Sequence, residues 1–109
     1  MKLIVRVQRP HGVQYASAAQ VASVQQAFDA ILAASQFTYF EAMLAMDELV
    51  RQAEMRGQYG KRYKPRPFEP FHEERLTLHD KLVAAANEAA GEPVSFFMIE
   101  EHQNPDNFR

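Results

Sequence analysis

No cysteine occurs among the 109 residues, which removes disulfides, thiolate nucleophiles and thiolate metal sites together. No apolar run approaches the roughly 18 residues that a membrane span needs, and the start MKLIVRVQRP has too short an apolar stretch for a signal-peptide core. A cytoplasmic setting without membrane contact is therefore expected. Catalytic signatures are missing as well. None of Ser17, Ser23, Ser35 and Ser95 lies in a G-x-S-x-G elbow, and there is neither a Walker loop nor a G-x-G-x-x-G turn. The sequence gives no reason to expect an enzyme or a cofactor.

Histidines do not supply a metal centre either. His72 and His79 are seven positions apart, so on one helix they would be separated by about 10.5 Å along the axis, too far to share an ion. Glu69-x-x-His72 resembles half of a di-iron carboxylate motif, but the second copy is missing and Pro70 interrupts the helix it would need. Glu100 and His102 fall on one face of a terminal strand but bring no third ligand. No metal is expected.

What is present is a polarised distribution of charge. Between Arg51 and Arg66 six basic residues stand against the single acid Glu54, whereas residues 67 to 109 hold three bases and nine acids. The net charge of −2 conceals this asymmetry, which concerns partners more than fold.

An apolar share of 47% and a charged share of 24% are those of a globular chain, and the length suits one domain covering 1–109 with one core. Leu3, Val5 and Val7 alternate with Ile4, Arg6 and Gln8, as in a strand with one buried face. Arg9-Pro10-His11-Gly12 suits a type I turn, leading to a second strand near residues 13 to 16. Ser17 with Gln20 and Thr38 with Glu41 are capping boxes, opening helices that run to about Ala34 and toward Gly57, the glycine placed as the left-handed residue beyond the helix end. Thr77 with Asp80 offers a weaker cap for a third helix, whose start can lie as early as His72 and which ends at Gly91. His79-Asp80 resembles the central dipeptide of HD-type metal-dependent phosphohydrolases in those two residues alone, and Asp80 is accounted for by the cap. A strand apolar on both faces, expected to be central, spans about 94–102, and residues 104–109 look frayed.

The fold class expected is α+β, with a small, mostly antiparallel sheet made of the N-terminal hairpin and the C-terminal strand, packed against three helices. Its core should include Val5, Val7, Val24, Phe28, Ile31, Leu44, Val50, Leu82, Phe96 and Met98. Sixteen alanines make the helix faces narrow enough to pack closely, within the domain or in a homodimer.

Gly57, Gly60, Pro65, Pro67 and Pro70 break regular structure and predict a long loop at about 57–72. Its cations alternate with rings. Arg56, Lys61, Arg62, Lys64 and Arg66 can neutralise phosphates, while Tyr59, Tyr63 and Phe68 can stack on bases or anchor a protein partner. The function expected is that of a non-enzymatic binding protein whose loop contacts a polyanion such as nucleic acid, or an acidic protein surface. The alternative is a small inhibitor or adaptor, of the kind phages and mobile elements encode, using an acidic C-terminal surface to block a basic nucleic-acid-binding site on its partner. Glu88, Glu92, Glu100 and Glu101, with Asp106, would form that surface.

Overall fold

Alternating apolar residues at the N-terminus build the first strand of a hairpin, β1 (Lys2–Arg9) and β2 (Gly12–Tyr15), in a computed structural model that describes residues 1–108. Helices α1 (Ala18–Ala33), α2 (Tyr39–Tyr59) and α3 (His72–Ala90) follow, then a strand β3 (Val94–Ile99), with 3₁₀ turns at Gly60–Arg62 and Pro105–Asn107. The fold is α+β, with three helices and one antiparallel sheet in the order β2-β1-β3 among the described residues. Among the described residues no helix is long and apolar enough to cross a membrane. Contacts divide the chain into two compact units, residues 1–31 with the chain from 82 onward, and residues 32–81.

In the first unit Leu3, Val5 and Val7 are buried on one face of β1, together with Val24 and Phe28 of α1 and Leu82 and Ala86 of α3. Phe28 meets Phe96 of β3 edge-on at 4.9 Å, and each large side chain fully buried here contributes about 1.5–3 kcal/mol. The hairpin turn is where the sequence places it, with Arg9 opposite Gly12 in register. The Ser17 box forms in both directions: Gln20 N–H donates to Ser17 Oγ at 3.1 Å, and Ser17 N–H donates to Gln20 Oε1 at 3.0 Å.

Two expectations fail in this unit. β3 is an edge strand, not a central one, and it stops at Ile99. Residues 100–103 turn instead, closed by Glu100 N–H donating to Gln103 Oε1 at 2.8 Å, so Glu100 and His102 share no strand face. Residues 104–108 are not frayed. The Arg6 guanidinium donates to the carbonyls of Pro105 (2.7 Å) and Phe108 (2.6 Å) and lies over the Phe97 ring at 4.7 Å. Phe108 packs on Phe97 at 5.7 Å, and the Tyr15 hydroxyl donates to Asp106. This covering explains why β3 is apolar on both sides: its second face lies under the chain's own last residues rather than under another layer.

In the second unit the Thr38 box caps α2, with Glu41 N–H donating to Thr38 Oγ1 at 3.2 Å and Thr38 N–H donating to Glu41 Oε1 at 3.1 Å. The buried residues of α2 are Tyr39, Ala42, Ala45 and Gln52, whereas Leu44 is 62% exposed and Val50 46% exposed. The sequence pattern places both in the core, and the structure does not. The helix carries large apolar residues around much of its girth, so periodicity alone does not fix which face turns inward, and the small alanines win because they permit close approach. Of the other core assignments, Ile31, Phe96 and Met98 are half-buried. Burial, then the nearby Asp47 charge, pushes the Tyr39 hydroxyl up to about 12.

α2 also overruns its expected end. It passes through Gly57 to Tyr59, and Gly60 at φ 58° is the residue that closes it, donating its N–H to the Arg56 carbonyl. The irregular segment is correspondingly shorter than the predicted loop, since Gly60–Arg62 form a 3₁₀ turn. Thr77 is no cap: it lies inside α3, where its hydroxyl donates to the Glu73 carbonyl at 3.0 Å. Glu73 and Glu74 in the first turn of α3 favour its N-terminal dipole instead.

Candidate functional site

The basic stretch lies wholly in the second unit, and one carboxylate organises it. Glu48 of α2 accepts from Arg51 Nε and Nη2, both at 2.9 Å, and from Gln52 Nε2 at 3.0 Å, with Arg66 Nη2 at 3.4 Å. Hydrogen bonds from Arg51, then from Gln52, bring the Glu48 pKa down to about 2, and the same contact raises that of Arg51. Gln52 is buried, and its amide is also committed to the Arg66 carbonyl at 3.1 Å. The Arg51 guanidinium reaches the Tyr63 hydroxyl at 3.4 Å. The segment from Tyr63 to Arg66 is thus tied to α2 by hydrogen bonds from Arg51 and Gln52.

These ties sort the eight predicted contact residues. Tyr63 is half-buried and acts as a tether, and Arg66, although exposed, leans on Glu48. Arg56, Lys61, Arg62 and Lys64 are exposed and join no ion pair among the described residues. Tyr59 is 48% exposed and Phe68 43% exposed. Phe68 is nevertheless fixed, because its ring lies parallel to the His72 imidazole, 3.9 Å away at an interplanar angle of 4°.

Beside Phe68 opens a cleft of about 350 Å³ whose lining includes Leu44, Glu48, Arg66, Glu69, His72 and Arg75. His72 Nε2 and Arg75 Nε are sealed from solvent and have no hydrogen-bond partner among the described residues. Among the described residues Arg75 has long ion pairs alone, 3.8 Å to Glu41 and 3.7 Å to Glu69. Phe71, at the mouth of α3, is held at φ 65°, a left-handed conformation that costs a bulky residue about 1–3 kcal/mol, with its ring 6.1 Å from that of Phe37.

No family model, curated protein or solved structure matches the chain. Its chemistry has to be read from the side chains themselves. Among the described residues no three His, Cys, Asp or Glu side chains are grouped to hold a metal ion. In the first unit, Glu92 of the proposed acidic surface accepts from Arg9 and from Gln20 Nε2 (2.9 Å), contacts that lower its pKa, the Arg9 bond most. Glu101 lies 3.5 Å from the Met1 amino group, leaving Glu88 and Glu100 as its members without a side-chain pairing among the described residues.

Sequence reasoning missed Glu48, Gln52 and Arg75 as parts of this region. A signal existed for the first two, since Glu48 stands three and four positions before Arg51 and Gln52, the spacing at which helix side chains meet. For Arg75 there was none, because its neighbours Glu41 and Phe37 come from distant positions in the chain.

Proposed function

We propose that this chain is a non-enzymatic binding protein that holds single-stranded nucleic acid along the surface from Arg56 to Phe68. The observation that carries the reading is the contrast among cations. Arg9, Arg51, Arg66 and Arg75 have carboxylate partners, whereas Arg56, Lys61, Arg62 and Lys64, consecutive along the basic stretch, have none among the described residues. Unpaired cations retain their full attraction for phosphates, and each phosphate neutralised releases counterions. Exposed Tyr59 and Phe68 favour an unpaired strand over an acidic protein, since their faces offer stacking to bases that a duplex keeps inside.

The inhibitor reading is not adopted. It requires an outward acidic surface, and of its members Glu92 is engaged by Arg9 and Gln20, Asp106 by Tyr15, and Glu101 lies near the Met1 amino group, which leaves Glu88 and Glu100 without a side-chain pairing among the described residues. Fluorescence anisotropy with a labelled oligothymidylate and a labelled duplex tests the choice. The single strand is expected to bind more tightly at low salt and to be released as salt rises. Absence of single-strand binding at low salt overturns the proposal.

A further inference from the structure

We infer that the cleft beside Phe68 is a slot for one unstacked base of the bound strand, with Phe68 as its stacking platform and the Glu69–Arg75 pair reading the base edge. The inference rests on the single-strand reading above and gives it a specific point of contact.

Three observations converge on the cleft. The Phe68 ring is immobilised from behind by its parallel stack on His72, yet remains 43% exposed. A ring already ordered by one stack loses little further freedom when a base stacks on its open side, which favours binding. Second, His72 is only 7% exposed, and its Nε2, like Arg75 Nε, has no hydrogen-bond partner among the described residues. One buried side chain, His72, and one half-buried one, Arg75, each with a nitrogen whose hydrogen-bonding capacity is unmet among the described residues, thus line one cleft. Third, Glu69 is largely exposed, and its carboxylate lies 3.7 Å from Arg75 Nη1, too far for a hydrogen bond, so an acceptor and a donor stand side by side with capacity to spare. Every nucleobase carries a donor next to an acceptor on its pairing edge, and splayed bases are read there by side chains while an aromatic ring holds the face.

Placement agrees with this. A volume of about 350 Å³ admits a base but not a base pair within a duplex. Lys64 precedes Phe68 closely in an exposed segment, where it can meet a flanking phosphate.

The test compares oligothymidylate with a strand of equal length whose sugars carry no bases, each titrated against the whole protein and its variants. The abasic strand should bind about ten- to hundredfold more weakly, in line with the effect of losing a stacked base. Phe68→Leu should weaken oligothymidylate by about that factor and leave the abasic strand unchanged, and Phe68→Tyr should retain affinity. Glu69→Gln discriminates further. Removing a negative charge strengthens any binding through phosphates alone, so weaker oligothymidylate binding with unchanged or tighter abasic binding supports edge reading. Equal affinity for the two strands, or variants that shift both strands alike, overturns the slot while leaving the polyanion reading intact. Failure of both strands to bind overturns slot and polyanion reading together.

Discussion

Glu48 shows how one residue decides which cations remain available. Its carboxylate takes Arg51 and Gln52 and draws in Arg66, so part of the basic cluster is consumed within the second unit. The i+3 and i+4 spacing to Arg51 and Gln52 was legible in the sequence, but the involvement of Arg66 was not, because it depends on how the chain returns past α2 after the 3₁₀ turn. The lowered pKa has a direct consequence. In the unfolded chain Glu48 titrates near 4.5 and in the fold at about 2, so its stabilising contribution is complete above about pH 4.5 and disappears as pH falls toward 2. Glu48→Gln should therefore be less stable than the parent at neutral pH, and the gap should close as the pH is lowered through this window. Urea midpoints measured at intervals of pH would show it. A gap of constant size down to pH 2 would mean that the carboxylate charge contributes nothing to stability.

Elements were legible where their signals are local. Both capping boxes form as the sequence indicates, because each needs only two residues three positions apart. The rotational phase and the length of α2 were not, since a helix apolar around much of its girth can turn several faces inward and a glycine inside a long helix is only a modest penalty. The paired glycines offer a sharp check. At Gly57 the backbone is helical and an added methyl group meets nothing within 4 Å, so Gly57→Ala should raise stability by about 0.5–1 kcal/mol. Gly60 has equal space, but its φ of 58° with ψ of −133° lies where side chains are strained, and Gly60→Ala should lower stability by about 1–3 kcal/mol. Thermal melts of the two variants should move in opposite directions. If Gly57→Ala is the damaging change, the helix ends where the sequence alone would have ended it.

At the scale of the whole chain, the uneven distribution of charge could be read from the sequence, whereas its exposure could not. Placement of residues 104–108 escaped for a similar reason: Arg6 and Pro105 are 99 positions apart, and no local pattern announces a contact over that distance. Which cations face solvent unpaired is likewise a product of folding, and it sets how binding should respond to salt. For a single strand the logarithm of affinity falls with the logarithm of salt at about 0.7 per phosphate neutralised, so one phosphate at each of Arg56, Lys61, Arg62 and Lys64 gives a slope of about −3. Replacing Lys61 and Arg62 together with glutamine should bring the slope to about −1.5, whereas Lys2→Gln, in the first unit, should leave it unchanged. Titrations of oligothymidylate across the salt series measure all three slopes. If the double variant keeps the parental slope, the attraction resides in cations other than these, and the surface from Arg56 to Phe68 is not where the strand lies.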